Sequence, residues 1–502
     1  MFYQNKFFKY PLLAGFGALM TLAYPPYSHV FMLLFSLSVA FFYLNRTQKS
    51  FSALVDFFIF GGAFGLFSTS WITNSLLISG SSRFGIAAIF IYLAMILIFG
   101  SFFAIPAFIA VKLRPSGFSR LVCYAGVFVL GEWVRSWLFT GFPWNLIGNV
   151  WTPFPPMIQI TSMIGTYGLS LLTLVAFGGL ACAPKIKPVL LSACLLGGTF
   201  FYGYWRLYNA IEADVLGVRV RLVQPNTPQS YKWDDTKEDE NLDKLIRLSS
   251  ENNKDITHVI WPETAVSFYI EIDEVRRGRF ISAVNPGGIL ITGGLRIADF
   301  INDRAITSNS IFVINGDTAR IVDFYDKKHL VPFGEYIPRP FKIFPFMSAI
   351  VPVPPSGFYT ETKKRAVFVP KAPPAAMAVC YEVIFPDEIL PKERPGWIVV
   401  ATNDAWYGIS HGPYQHFSMA QLRAVETGLP VARASNNGIS GMIDPYGRIL
   451  GSLGLGGTGY LDTPLPVALP ETLYARYGVK IPLALALFVI FISFFSKKEK
   501  KL

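Results

Sequence analysis

Apolar residues dominate the chain from residue 10 to residue 205, broken only by short polar clusters. A helix needs about 20 largely apolar residues to cross a bilayer. Seven segments qualify as candidate spans, roughly 10–25, 30–44, 53–73, 86–111, 121–140, 157–183 and 189–205. An eighth, roughly 480–496, runs through Ile481 to Phe495. Several are short or interrupted by Gly and Pro, so the pattern sets their ends only loosely. A buried helical core in a soluble protein is the alternative, and eight such segments with so few charges weigh against it. Lys6 and Lys9 ahead of an apolar run also have the form of a secretion signal; the spans that follow favour an uncleaved first helix.

Between 206 and 479 the texture changes to short β-branched runs separated by polar helical stretches. Val218–Val223 alternates as a strand does, and further strands are expected at His258–Trp261, Gly288–Thr292, Ser310–Ile314, Ala319–Asp323, Ala376–Cys380, Trp397–Ala401 and Val431–Ala434. Leu242, Leu245, Ile246 and Leu248 fall at helical spacing within 234–250, and a second helix is expected around 413–427. Strand and helix alternate with short connections, the pattern of an α/β domain with its core at about 217–465. The expected organisation is therefore spans one to seven in 1–205, the α/β domain in 206–479, and span eight with a basic tail in 480–502.

Composition agrees with a membrane protein. Of 502 residues, 52% are hydrophobic and only 15% charged, against about 25% charged in an average soluble domain. Together with a mean hydropathy of +0.41, this argues against a disordered chain, a collagen-like chain and an ordinary cytosolic enzyme. The net charge of +11 and pI near 9.3 would ordinarily raise nucleic acid as a partner. The distribution removes that reading. Residues 1–205 hold eleven Lys/Arg against Asp56 and Glu132 (+9), residues 206–480 hold 29 against 30 (−1), and 481–502 hold four lysines against Glu499 (+3). Taking alternate ends of the spans, one side collects Lys6, Lys9, Arg46, Lys49, Lys112, Arg114, Arg120, Lys185, Lys187 and the four tail lysines; the other has only Arg83 and Arg135. The excess of positive charge marks the cytoplasmic side. Both termini are expected there and the 206–479 domain on the outer side, with no nucleic-acid partner.

Three short segments of the α/β domain place reactive groups at or just beyond apolar runs: Trp261-Pro262-Glu263-Thr264, the stretch from Tyr325 through Lys327 and His329 to Glu335, and Ala378-Val379-Cys380-Tyr381-Glu382. Strand ends are where a loop can present such groups on a rigid frame. A thiol used as a nucleophile needs a base and a donor for the oxyanion it creates, roles that Glu263 and Lys327 would fill for Cys380. Each also has a plain reading: surface carboxylate, solvated amine, inert core thiol. Spacing alone does not establish that the three meet. Cys123, Cys182 and Cys194 fall in expected spans, which leaves Cys380 the one cysteine of the outer domain, and no cysteine or histidine spacing suggests a metal site.

In this order, WPET, the K-x-HLVPFGEY segment and CYE resemble the Glu-Lys-Cys triad of the nitrilase superfamily. HLVPFGEYIP and Thr402-Asn403-Asp404-Ala405-Trp406-Tyr407-Gly408 are more specific and resemble the apolipoprotein N-acyltransferases of bacterial envelopes. Gly141-Phe142-Pro143-Trp144-Asn145, Gln224-Pro225-Asn226, Lys232-Trp233 and the eight-span layout fit the same family. The resemblance implies a nitrilase-like αββα sandwich on the periplasmic side of a multi-pass protein of the bacterial inner membrane. It implies that Cys380 attacks the sn-1 ester of a phospholipid acyl donor and holds the chain as a thioester. The α-amine of the diacylglyceryl-cysteine that begins an apolipoprotein then takes the chain as an amide. Glu263 is implied as general base and Lys327 as oxyanion partner, with Glu335, Tyr381, Glu382 and Trp233 in support, and no cofactor. A membrane-tethered amidase that passes its acyl group to water would carry the same triad. Phe333, Phe341, Phe344, Phe346 and Phe358 lie in an apolar, Pro-rich stretch suited to a lid that dips into lipid, or to packing on the domain's own core.

Four other features are set aside. Gly454-Leu455-Gly456-Gly457-Thr458-Gly459 has the dinucleotide-loop spacing without a following helix, and reads as a turn. Glu132 and Arg135 share a helix face at a span edge, and Trp133, Trp137, Trp144 and Trp151 read as an interfacial belt. His329 and His416 read as structural.

Overall fold

The computed structural model describes residues 5–78, 84–301, 304–339, 358–360 and 365–495. The chain divides into two compact units, one gathering the residues up to Leu76, Phe84–Ala210 and those from Thr472 on, the other built chiefly of Ile211–Glu471.

In the first unit every expected apolar segment holds a helix: Lys6–Leu19, Val30–Arg46, Ser50–Ser68, Phe84–Lys112, Phe118–Arg135, Thr161–Leu180, Ile186–Tyr208 and Lys480–Ile492. Among the described residues, Ser50–Ser68, Ala87–Lys112, Thr161–Leu180 and Ile186–Tyr208 are long and apolar enough to cross a membrane. Helices Ser50–Ser68 and Phe84–Lys112 pack closely because glycine faces aromatic rings between them. A Cβ on Gly61 would come within 2.6 Å of Phe103, and one on Gly65 within 2.6 Å of Phe99. Charges inside this unit are met by partners: Lys9 Nζ lies 2.6 Å from Asp56, and the Arg120 guanidinium donates to the carbonyls of Leu44, Thr47 and Pro115. Glu132 accepts from Ile147 N at 2.8 Å, while Arg135 donates to the carbonyls of Phe142 and Trp144 at 3.0 and 2.9 Å. The two charges thus hold the loop after their own helix. The belt reading is corrected for Trp144, which is wholly buried with its ring 4.6 Å from Trp71, and for Trp151, also buried. The loop that Glu132 and Arg135 hold folds inward and takes Trp144 with it.

The second unit contains two mixed sheets. The strands are β1 (Asp214–Gln224), β2 (His258–Ile260), β3 (Ile289–Ile301), β4 (Arg304–Asn315), β5 (Ile321–Asp326), β6 (Ala375–Val379), β7 (Trp397–Thr402), β8 (Val431–Ser435), β9 (Ser440–Ile443), β10 (Ile449–Leu453) and β11 (Gly459–Pro466). One sheet runs β11-β1-β2-β3-β4-β5 and the other β10-β9-β8-β7-β6. β1, β2 and β3 are parallel to one another, as are β6, β7 and β8; the remaining pairings are antiparallel. Alternation along each strand builds two cores. Val220, Leu222, Ile260, Ile291 and Val313 of the first sheet meet Met377, Val379, Val399, Ala432 and Met442 of the second. On the far face of the first sheet, Val223, Val259, Leu290 and Phe312 pack with Leu242, Leu245 and Leu248 of helix Glu238–Ser250. Helix Gly412–Thr427 is buried at every residue but Tyr414 and sets Phe417 against Gly441 of β9. The layers are helix, sheet, sheet, helix.

The Gly454–Gly459 segment is the turn from β10 to β11. Gly456 takes φ +73, Gln224 Nε2 donates to the carbonyls of Gly454 and Gly457, and Asn226 Nδ2 to that of Gly456.

Candidate active site

Each member of the expected triad sits just past the end of a strand: Glu263 after β2, Lys327 directly after β5, Cys380 directly after β6. The chain bends sharply at one of these positions and just after another. Cys380 has φ +50, and Thr264, which follows Glu263, has φ +43. A left-handed backbone at a residue other than glycine costs about 1–3 kcal/mol and persists where the surroundings over-determine it.

The surroundings here are hydrogen bonds. Glu263 is buried. Its Oε1 accepts from Asn309 Nδ2 at 2.8 Å and lies 3.6 Å from Lys327 Nζ, while its Oε2 accepts from the Asn403 main-chain N at 2.9 Å. Lys327, also buried, donates to Glu335 Oε1 at 2.9 Å. Glu335 accepts in addition from Asn309 Nδ2 at 3.1 Å and from Val331 N at 2.8 Å. It therefore caps its own loop and pairs with the lysine at once. Burial alone would push the Lys327 ammonium down; Glu335, Glu263 and Cys380 outweigh it and hold the group well above its ordinary value, so it stays a fixed positive charge. The Cys380 thiol is pushed up to about 12, first by burial, then by the carboxylate of Glu263, with Lys327 pulling the other way. At neutral pH the thiol therefore rests protonated, with Glu263 and Lys327 both in its field.

Glu382 is completely buried and serves as a knot. Its Oε1 accepts from Tyr325 OH at 2.7 Å, Lys328 N at 3.0 Å and His329 N at 3.2 Å, and its Oε2 from Val379 N at 2.7 Å. Tyr381 is buried against His329 and Phe385. Trp233 lies on the surface, 51% exposed, whereas Lys232 beside it turns inward and donates to the Glu263 carbonyl at 2.8 Å. Phe333 is 39% exposed on a loop whose N–H at 333 donates to Tyr336 O. Phe358 is partly buried; Phe341, Phe344 and Phe346 fall outside the described residues.

Sequence reasoning missed Asn309, which bridges the two carboxylates from the middle of β4, and Arg433, which joins Asp404 and His416, the latter read as structural, in a buried group behind Cys380. There His416 Nε2 donates to the Cys380 carbonyl at 3.1 Å. Its Nδ1 faces Asp404 Oδ1 at 2.9 Å and Arg433 Nη2 at 3.1 Å. Asp404 is held by Arg433 at 2.6 Å and by Thr402 at 2.9 Å. Burial would raise the Asp404 carboxyl, but Arg433 and His416 bring it to about 2. Of this group the sequence marks Asp404 by its place in the Thr402–Gly408 motif and His416 as a structural histidine.

A buried thiol at a strand end, with a carboxylate and an ammonium carried in from two other strands of an α-β-β-α sandwich, defines a carbon–nitrogen hydrolase centre. Residues 219–471 match the Carbon-nitrogen hydrolase family. Residues 16–179 match the Apolipoprotein N-acyltransferase N-terminal domain. The chain is 38% identical over 395 residues to an apolipoprotein N-acyltransferase of Bradyrhizobium diazoefficiens, covering 75% of this chain and 73% of the relative. It is 38% identical over 425 residues to that of Brucella melitensis (80% and 78%), and 34% identical over 468 residues to that of Agrobacterium fabrum (89% and 88%). The chain belongs to the apolipoprotein N-acyltransferase family.

Proposed function

We propose that this protein transfers an acyl chain from a phospholipid, through a thioester on Cys380, to the α-amine of the N-terminal diacylglyceryl-cysteine of apolipoproteins, completing their maturation. The observation that carries the reading is the buried Cys380 thiol at its left-handed strand end, in the field of both Glu263 and Lys327.

Glu263 takes the thiol proton as sulfur attacks the ester carbonyl, and Lys327 faces the oxyanion that forms. Collapse expels the lysophospholipid oxygen, which takes the proton back from Glu263 and leaves the thioester. In the second half the neutral α-amine attacks, Glu263 accepts its proton, and collapse to the amide releases the Cys380 sulfur, which Glu263 reprotonates. The cycle balances without a cofactor and predicts ping-pong kinetics.

The membrane context belongs to the same proposal: eight spans in the inner membrane, both termini cytoplasmic, and the catalytic unit on the periplasmic side. The thirteen-to-two split of basic residues between the two sets of span ends supports it. An acyl chain crosses water only at about 0.8 kcal/mol per CH₂, so donor and acceptor both held in one leaflet suit an enzyme held there too. The phenylalanines of 333–358 are proposed as a lipid-facing lid. Intact mass of the protein purified with native lipid tests the reading. One acyl adduct mapped to Cys380 and discharged by a diacylglyceryl peptide is expected. Release of free fatty acid with no peptide acylation would point instead to the tethered amidase.

A further inference from the structure

The reaction as drawn uses one ammonium, Lys327, and the structure buries a second beside it. Lys232 ends the short helix Gln229–Lys232 and its side chain is buried. Its Nζ donates to the main-chain carbonyl of Glu263 at 2.8 Å at the edge of a small cavity it shares with Glu238, Thr264 and Asn436. A carbonyl is a neutral acceptor and does not repay the desolvation of an ammonium. The charges toward which Lys232 is drawn are those of Glu263 and Cys380.

Around Cys380 stand Glu263 after β2, Lys327 after β5, Asp404 after β7, Tyr407, His416 of the buried helix, and Arg433 of β8. Asp404 is matched by Arg433 and Lys327 by Glu335. Whether the proton rests on Cys380 or on Glu263, the pair carries one negative charge, and Lys327 is already shared with Glu335 and cannot balance both. We infer that Lys232 is a second cation of the active centre, a positioning residue that fixes the main chain of the base and stabilises the Cys380 thiolate. Burial brings the Lys232 ammonium down to about 8, while Glu263 and Cys380 pull it upward; its charge is therefore present at neutral pH and fades as pH rises past that value.

The inference rests on Cys380 as the nucleophile, and alkylation separates the two because it needs no turnover. Full-length protein in lipid nanodiscs is treated with iodoacetamide from pH 6.5 to 9.5, and the rate at Cys380 is read by peptide mass. Lys232→Arg keeps the charge; Lys232→Gln keeps an N–H donor for the carbonyl but loses the charge; Lys232→Met loses both. We expect Lys232→Arg within about threefold of the parent at pH 7. Lys232→Gln and Lys232→Met should be slower by about tenfold, a displacement of about one pH unit. A Lys232→Gln profile that overlays the parent overturns the inference. So does a melting scan in which both uncharged variants fail to fold while Lys232→Arg folds, which would mark Lys232 as purely structural. Cys380→Ala that kept acyl transfer would instead remove the reading beneath it.

Discussion

Both units of the molecule bury ionisable side chains, and at Arg120, Glu132 and Arg135 of the one and Glu263, Lys327 and Glu335 of the other they satisfy them differently. In the helical unit the partners are largely main chain: Arg120 and Arg135 donate to carbonyls and Glu132 accepts from an amide. Each closes a loop at a helix end, where the backbone leaves groups unsatisfied. In the catalytic unit, charge faces charge. Glu263, Lys327 and Glu335 lie within 3.6 Å of one another in sequence of contact, with a titratable thiol beside them. Charge satisfied by amides and carbonyls holds shape. Charge satisfied by other ionisable groups can also answer a proton.

The largest expected effect is at Cys380, the proposed nucleophile. Cys380→Ala should abolish both the acyl adduct, by intact mass, and peptide acylation, while the melting temperature stays near that of the parent. Next come the two groups that answer the proton. Glu263→Gln should slow acylation by about 10²–10⁴-fold and Lys327→Met by about 10²–10³-fold, read in single-turnover assays. The protonated resting thiol gives a smaller and graded effect. With its titration pushed up to about 12, alkylation of Cys380 should climb toward tenfold per unit through pH 7–9 without the plateau of an ordinary thiol near 8.5. In the helical unit the same kind of change should act only on shape. Arg135→Met orphans two carbonyls, each charged hydrogen bond being worth about 1.5–3 kcal/mol, and should lower thermal stability while leaving the alkylation rate of Cys380 unchanged. The smallest expected effect is at the proposed lid, where Phe344→Ser with Phe346→Ser should slow lipid turnover several-fold and spare Cys380 alkylation.

How much of this could be read beforehand follows from the kind of interaction involved. The helices and the central strands announced themselves through apolar runs, because burial on one or both faces leaves a period in the sequence. β9, β10 and β11 did not. β9 is four residues long with Gly441 inside it, and β11 carries Pro464 and Pro466, which an edge strand tolerates and a sequence pattern reads as a breaker. β3 and β4 extend well past the expected Gly288–Thr292 and Ser310–Ile314, since their outer halves pair with each other as a hairpin and carry polar side chains such as Arg296 and Asp299. Glu263, Lys327 and Cys380, the residues proposed to react, stood out in the sequence because each lies in a short recognisable word at a strand end. Asn309 and Arg433 did not stand out, because neither sits in such a word and each acts through a partner distant in the chain; Asn309 lies 46 residues from Glu263 and Arg433 29 from Asp404.

The knot at Glu382 has a consequence for precision. A single carboxylate ties Val379, the residue before the nucleophile, to Lys328 and His329, the residues after the cation. Thermal displacement of either segment is therefore shared with the other. The gap between the Cys380 sulfur and the Lys327 ammonium is thereby held as one dimension with one tolerance.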